Sequence, residues 1–196
     1  MTQPWNGHRY VVVDVEGNGQ RPPDLVEIAI VPVEDGVIGE GRSWLVRPPR
    51  PITAMARRIH RIGDDEVAAA PLAGEVAGEI GEHLDGAVFV AHNAHVDLDV
   101  IGRAVPGYTP SLVVDTLKAA RRLRPGRMSY KLGSLADAFG LADGIGVGLR
   151  PHRATYDALI CARLLVHLAA PQDGPPLTLA DLVGEERTGD AAPTLF

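Results

Sequence analysis

The chain has 196 residues, 45% of them hydrophobic, and a formal net charge of −6. This length and hydrophobic share suit one domain with a sizeable core, and the negative charge argues against a protein that coats nucleic acid through charge alone. The single cysteine, Cys161, excludes an internal disulfide and a cysteine-based zinc site. Because no apolar run reaches the roughly 20 residues of a membrane span and the N-terminus carries no export signal, we expect a cytoplasmic protein with no membrane partner.

The first predicted element is an apolar, β-branched strand from Arg9 that ends in two acids, Asp14 and Glu16. Residues i and i+2 of a strand point to the same face, so both carboxylates should face one spot. Nothing in the next few residues neutralises them. Because carboxylate oxygens suit Mg²⁺ or Mn²⁺, a divalent cation would relieve their repulsion. A solvated strand end is the less favoured alternative.

The following segments alternate between strand and helix patterns. Residues 25–33 and 37–46 are predicted strands joined by an Asp-Gly hairpin turn, and residues 87–91 and 111–114 are shorter apolar strands. Helical patterns cover 53–58, 64–69, 71–84, the segment after 95, the segment after 115 and 134–141, and residues 151–157 open a last long helix that runs to about 168. This order predicts an α/β fold with a mixed five-stranded sheet, an antiparallel meander followed by parallel strands, and helices on both faces.

The composition changes near the C-terminus. After Pro171 the chain is rich in Pro, Gly and charged residues, apart from a weakly amphipathic piece at 177–183. We therefore expect a folded domain over 7–170 and a tail with little fixed structure over 171–196. The final Leu195 and Phe196 form a short apolar end that could dock on a partner.

Further acidic residues and a histidine are placed to join the first two acids. Asp97 lies at the start of the helix after the fourth strand, and Asp157 lies in the first turns of the last helix. Four carboxylates at the mouth of the sheet could hold two divalent ions for displacement at phosphorus. His152 precedes the last helix, and its ordinary pKa near 6.5 suits a general base for an attacking water.

These residues form three motifs that strongly resemble those of the DEDDh 3′→5′ exonucleases. The motifs are Asp14-Val15-Glu16, then His-Asn-Ala-His-Val-Asp at 92–97, then His-Arg-Ala-Thr-Tyr-Asp at 152–157. Each motif alone is weak, but three in order at strand ends and helix starts form a strong signal. The resemblance covers about residues 8–170 and implies a ribonuclease-H-like fold for an exonuclease domain over 7–170.

The resemblance also implies a role for each matching residue. Asp14, Glu16, Asp97 and Asp157 would hold two Mg²⁺ or Mn²⁺ ions, and His152 would be the general base. Gly17 and Asn18 would face the terminal nucleotide through backbone N–H groups. The predicted substrate-binding part of the site also includes two residues that should order their turn by hydrogen bonds, His92 and Asn93.

The predicted function is hydrolysis of phosphodiester bonds at the 3′ ends of single-stranded or frayed DNA, releasing nucleoside monophosphates, as in proofreading or DNA repair. The alternatives are an exoribonuclease of the ribonuclease T and oligoribonuclease type, a catalytically weak module that binds nucleic acid or a polymerase, and a small-nucleotide phosphatase. A polymerase or sliding clamp is a possible partner.

Two other clusters leave alternatives open. The histidines at 92 and 95 with Asp97 and Asp99 could form a zinc site, although hard oxygen ligands are favoured for phosphoryl chemistry. The basic run at 121–131 is either a solvated face or a surface that contacts phosphates.

Overall fold

The computed structural model describes residues 3–170 and 174–184. A short 3₁₀ turn at Trp5–Gly7 precedes six strands and eight helices in this part of the chain. The strands are β1 (Tyr10–Gly17), β2 (Leu25–Glu34), β3 (Val37–Ile38), β4 (Arg42–Leu45), β5 (Val88–Ala91) and β6 (Val113–Asp115). The helices are α1 (Ala54–His60), α2 (Asp64–Val67), α3 (Ala73–Leu84), α4 (His95–Ala104), α5 (Thr116–Leu123), α6 (Leu132–Phe139), α7 (Ala154–Ala169) and α8 (Leu179–Val183).

The strands form one mixed sheet, as predicted. β1 lies in the centre, antiparallel to β2 and parallel to β5, and β5 pairs in parallel with β6. The order along the sheet is β3-β2-β1-β5-β6, with β4 also pairing with β2. Because the parallel strands point the same way, the ends of β1, β5 and β6 open at one edge, where Asp14 and Glu16 were expected.

The predicted third strand is interrupted, so the sheet has six strands rather than five. β3 pairs with residues 33–34 of β2, and β4 pairs with residues 27–30. Between them, Gly39 and Gly41 pass close to β2, and an added Cβ would lie 3.0 Å from Pro32 Cγ and 2.9 Å from Val31 Cγ2. Pro32 has no N–H to donate to a neighbouring strand, which explains why regular pairing breaks there.

Helices cover both faces of the sheet, and the alternation along β1 separates two cores. Val12 belongs to the core on the α7 side, whereas Val11 and Val13 belong to the core on the side of α3 and α4. α7 is the most deeply buried helix, with nine buried residues that include Cys161. The cysteine is therefore a packing residue. Among the helices in the described part of the chain, none has the length and apolar character needed to cross a membrane.

The region after Pro171 differs from the tail that the sequence predicts. Residues 174–184 are ordered against the domain, and Leu179 and Leu182 of α8 are 3% and 1% exposed. The Thr178 side chain caps α8, and Trp5 donates its backbone N–H to the Leu177 carbonyl at 2.9 Å. Two leucines one turn apart provide enough apolar area to fix a short helix that composition alone does not reveal. The apolar end at Leu195 and Phe196 lies outside the described residues.

Candidate active site

Three carboxylates meet at the end of β1. Asp14 and Glu16 lie on one face of the strand, and Asp157 enters from the first turn of α7. One carboxylate oxygen from each of the three lies within 4.8 Å of the other two. The i, i+2 spacing in β1 therefore places both acids toward one point, as the sequence predicted, and α7 brings the third from 141 residues further along the chain (157 − 16).

Asp97 lies beside these three acids and is hydrogen-bonded to the backbone of Val15, the residue between Asp14 and Glu16. It is 6% exposed, and its Oδ1 accepts a hydrogen bond from the Val15 N–H at 3.2 Å. Asp97 is not one of the three acids within 4.8 Å of one another, but its charge raises the pKa of Asp14. All four predicted acids are therefore brought to one end of the sheet.

The acids are held where their charged forms are disfavoured. Burial, and then the charges of Asp97, Asp157 and Glu16, raise the pKa of Asp14 well above its usual range. Burial, followed by the charge of Asp157, raises the pKa of Glu16 to about 8. Burial raises the pKa of Asp97 to about 7 and is also the main cause of the raised pKa of Asp157. These carboxylates repel one another, and a divalent cation bound between them would relieve the repulsion. Their hard oxygen atoms are the ligands that Mg²⁺ and Mn²⁺ prefer.

His152 lies at the open mouth of the site. Its side chain is 62% exposed, and Nδ1 lies 4.0 Å from Asp157 Oδ2. Its backbone N–H donates to the same oxygen at 3.1 Å, and its φ of 62° is in the left-handed region. Such a conformation is uncommon for a residue other than glycine and is found disproportionately at functional sites. The imidazole can therefore reach solvent beside the acids while its backbone fixes the Asp157 carboxylate.

A buried ion pair that the sequence analysis missed holds the start of α7. Glu27 of β2 is 3% exposed, and its carboxylate accepts hydrogen bonds from Arg153 Nη2 at 2.7 Å and Nε at 3.0 Å. It also accepts from the Ala154 N–H at 2.9 Å, which is an orphan donor at the helix start. Glu27 pairs with Glu16 across the two strands, and Arg153 also reaches Glu66 at 3.3 Å. The sequence feature that indicates this pair is Glu27 itself, the only charged residue in the otherwise apolar run 25–33.

Asn18, a predicted nucleotide contact, is held inside the turn after β1. It is fully buried, and its side chain donates to Asp24 Oδ2 and to the Arg50 carbonyl. Its Oδ1 accepts from the backbone N–H groups of Gln20 and Asp24, and its own N–H donates to the Asp24 carbonyl. These hydrogen bonds show that Asn18 organises the turn after β1, and its contact with a nucleotide stays a prediction. Gly17, at the end of β1, stays a predicted substrate contact.

The turn after β5 is fixed by hydrogen bonds, as expected for His92 and Asn93. His92 Nε2 donates to the Tyr130 carbonyl at 2.9 Å, and Nδ1 lies 2.9 Å from Thr116 Oγ1. The Asn93 N–H donates to Asp115 Oδ1 at 3.2 Å, the same oxygen that caps α5. Both ring nitrogens of His92 are used inside the protein, so this histidine orders the turn, as predicted, and its contact with substrate stays a prediction.

The alternative zinc cluster does not assemble. Asp99 points to solvent and pairs with Arg103 at 2.7 Å. In residues 3–170 and 174–184, the acids at the end of β1 are the only group of three His, Cys, Asp or Glu residues close enough to share an ion.

Comparisons with known proteins agree with the three motifs. The exonuclease family model matches residues 11–165. The chain is 37% identical over 173 residues to Exodeoxyribonuclease 10 of Escherichia coli (strain K12), covering 88% of this chain and 74% of that protein. It is 32% identical over 173 residues to the 3′–5′ exonuclease DinG of Bacillus subtilis (strain 168), covering 83% of this chain but only 18% of DinG. The chain thus spans under a fifth of the length of DinG.

Solved structures give the same result. Exonuclease X in complex with 5′ overhanging duplex DNA matches with a TM-score of 0.69 and 37% identity, covering 82% of this chain and 89% of that chain. A 3′-exonuclease that recognises the histone mRNA stem-loop matches with a TM-score of 0.67 at 16% identity, covering 85% and 83% of the two chains, and shows the likeness of fold. The predicted ribonuclease-H-like α/β fold is confirmed. The match over residues 11–165, the 37% identity and the shared fold together establish that the chain belongs to the exonuclease family and is a 3′–5′ exonuclease.

Proposed function

We propose that this exonuclease removes nucleoside monophosphates from the 3′ ends of single-stranded or frayed DNA, with Mg²⁺ or Mn²⁺ as cofactor. The observation that carries the proposal is the meeting of Asp14, Glu16 and Asp157 within 4.8 Å of one another, with Asp97 beside them. Two ions held by these four acids would polarise the attacking water and stabilise the leaving oxygen. Oxygen donors alone are the ligand set expected for these metals.

Residues of the chain would accept the proton of the attacking water, position the base and contact the terminal sugar. His152 would take the proton of the attacking water, because its imidazole is exposed at the mouth of the site next to Asp157. Asp157 would hold His152 in place through the backbone N–H of that residue. Gly17, at the end of β1, would face the terminal sugar with its backbone N–H group.

DNA is favoured over RNA as the substrate. The relative that shares 37% identity over most of both chains is named as an exodeoxyribonuclease, and Exonuclease X is bound to DNA in its structure. The likeness to the exonuclease that recognises an mRNA stem-loop is at 16% identity and supports the fold alone. An exoribonuclease remains the alternative that the experiment must separate, since sugar choice depends on contacts to the 2′ position.

The test is a time course on 5′-labelled DNA and RNA strands of matched sequence, with Mg²⁺, with Mn²⁺ and with EDTA. Stepwise shortening from the 3′ end that EDTA stops is the expected result, with DNA shortened faster than RNA. Faster shortening of RNA would support the exoribonuclease instead, and shortening in EDTA would exclude the metal-dependent mechanism.

Two variants on one helix supply a matched pair. Asp97→Asn removes a carboxylate from the site and should nearly abolish turnover, whereas Asp99→Asn removes an exposed carboxylate two residues away and should leave turnover within about twofold. His152→Ala should lower the turnover number by about 10²- to 10⁴-fold, the usual contribution of a general base. Full activity of Asp97→Asn or His152→Ala would contradict the assigned roles.

A further inference from the structure

The basic run noted in the sequence forms a surface with no acidic residue of its own. Residues 116–131 hold six of the 19 lysines and arginines in the chain and no aspartate or glutamate, although the whole chain carries a net charge of −6. The six are Lys118, Arg121, Arg122, Arg124, Arg127 and Lys131. Such a concentration of one sign of charge creates a positive potential even on an acidic protein.

The structure separates these six cations into two groups. Arg122 donates to backbone carbonyls of α8, and Arg124 donates to the carbonyls of residues 123 and 167. Arg127 lies over the Phe139 ring at 4.1 Å. These three stabilise the fold. The other three, Lys118, Arg121 and Lys131, are exposed, and none has an acidic partner among the described residues.

The three exposed cations lie beside the turn that leads to Asp97. Lys118 is in the first turn of α5, and its N–H donates to the Asp115 carboxylate that also holds Asn93. Lys131 follows Tyr130, whose carbonyl accepts from His92. The backbone of Lys118 and the residue before Lys131 therefore lie next to the His92–Asn93 turn, at the edge of the sheet that carries the acids.

Arg121 extends this group along α5. It lies one turn beyond Lys118, so the two side chains share a face of the helix, and its guanidinium is 5.9 Å from the centre of the Tyr130 ring. Three residues of helix rise about 4.5 Å along the axis. Long, flexible side chains at this spacing can reach neighbouring phosphates.

We propose that Lys118, Arg121 and Lys131 form a cationic strip that binds the phosphate backbone of the substrate strand on the 5′ side of the nucleotides in the acidic site. The inference rests on the proposed function and names the surface through which an acidic protein holds a polyanion. Because the contacts are to phosphates, the strip carries no base preference. The strip should strengthen binding of long strands more than binding of a dinucleotide, because a dinucleotide is too short to occupy the acidic site and the strip at once.

The binding experiment uses the full chain and a 5′-fluorescein-labelled single DNA strand in EDTA, followed by fluorescence anisotropy over a range of NaCl concentrations. The test variant is Arg121→Gln/Lys131→Gln. The control is Arg9→Gln/Arg42→Gln, which makes the same change in net charge at two exposed arginines paired with Glu34 and Glu79. Circular dichroism confirms that each variant is folded, and Lys118→Gln/Arg121→Gln replaces the test variant if it is not.

The expected effect follows from counterion release. The salt slope is the fall in the logarithm of the binding constant per tenfold rise in salt concentration, and each phosphate contact on a single strand adds about 0.7 to it. One contact therefore makes binding at 0.1 M salt roughly fivefold tighter relative to binding at 1 M. The test variant should therefore bind roughly 25-fold more weakly at 0.1 M salt, with a slope reduced by about 1.4, and like the wild type at 1 M. The control should change by less than about twofold, because charges further away than about 10 Å are screened.

Three results would overturn the strip: equal losses in the test variant and the control, a salt slope that does not change, or no binding by the wild type in EDTA. Its failure can be told apart from failure of the proposed function, which the shortening assay measures separately. In that assay the test variant should lose more kcat/KM on a long strand than on a dinucleotide. Equal losses on both would place Arg121 and Lys131 outside the path of the strand.

Discussion

The ion pair between Glu27 and Arg153 gives the sharpest test of how the site is held. The Glu27 side chain is 4% exposed and that of Arg153 is 22% exposed, and two of their hydrogen bonds are 2.7 and 3.0 Å long. Glu27 also caps the start of α7, which carries Asp157 one turn later. In addition, its charge raises the pKa values of Asp14, Glu16 and Asp157. Glu27 therefore positions α7 and depends on Arg153 for neutralisation.

The two ways of breaking this pair should differ in cost. Glu27→Gln leaves Arg153 with some solvent and with Glu66 at 3.3 Å, so the loss should be that of charge-assisted hydrogen bonds, about 1.5–3 kcal/mol of unfolding free energy. Arg153→Gln leaves the buried Glu27 carboxylate without its cation near Asp14, Glu16 and Asp157, so the loss should be about 3–5 kcal/mol. We expect Arg153→Gln to be more destabilising by at least about 1 kcal/mol.

Urea unfolding followed by circular dichroism measures both variants against the wild type, first in EDTA and then with Mg²⁺. The difference between the variants should shrink with Mg²⁺, since the cation neutralises the acids that repel Glu27. The reasoning is refuted if Glu27→Gln is as destabilising as Arg153→Gln in EDTA, or if Mg²⁺ leaves their difference unchanged. Glu27→Gln should also lower kcat, because Asp157 lies in the first turn of α7 and His152 lies two residues before this helix begins.

Three further predictions concern the site and its frame. Burial and repulsion raise the pKa of Glu16 to about 8 and that of Asp97 to about 7. Above about pH 5 the folded protein without metal therefore keeps protons that the unfolded chain has released. Its melting temperature should fall from pH 5 to about pH 8, and the Mg²⁺ affinity measured by calorimetry should rise over the same range. A melting temperature that rises with pH would contradict this. Asn18→Ala removes four side-chain hydrogen bonds around the turn and should cost about 2–4 kcal/mol in urea unfolding, whereas an unchanged stability with a raised KM would return Asn18 to the role of a nucleotide contact. Leu182→Ala, at a position 1% exposed, should cost about 2–5 kcal/mol, and a cost below about 0.5 kcal/mol would mean that α8 is not part of the core.

Much of the site follows from local sequence. The period of two along β1 is enough to place Asp14 and Glu16 on one face, because side chains alternate strictly in a strand. The resemblance of the three motifs, in order, to those of the exonucleases then identifies Asp97, His152 and Asp157. Of these, Asp97 follows the parallel strand β5, whose end lies at the same edge of the sheet as the end of β1. The alternation of strands and helices likewise predicts the mixed sheet. Each of these inferences needs only the neighbours of a residue in the chain and the topology.

Other features depend on which distant residues meet in the folded chain. Glu27 and Arg153 are 126 residues apart, and the sequence around each residue does not indicate its partner. Asn18 is buried and makes four side-chain hydrogen bonds with three residues around its turn, and the local sequence does not indicate this burial. The third strand breaks where two glycines cross Pro32, and α8 is fixed by two leucines in a stretch whose composition suggests a tail. Local pattern determines where a side chain points along its own element, whereas burial and the choice of partner arise only when the elements pack together.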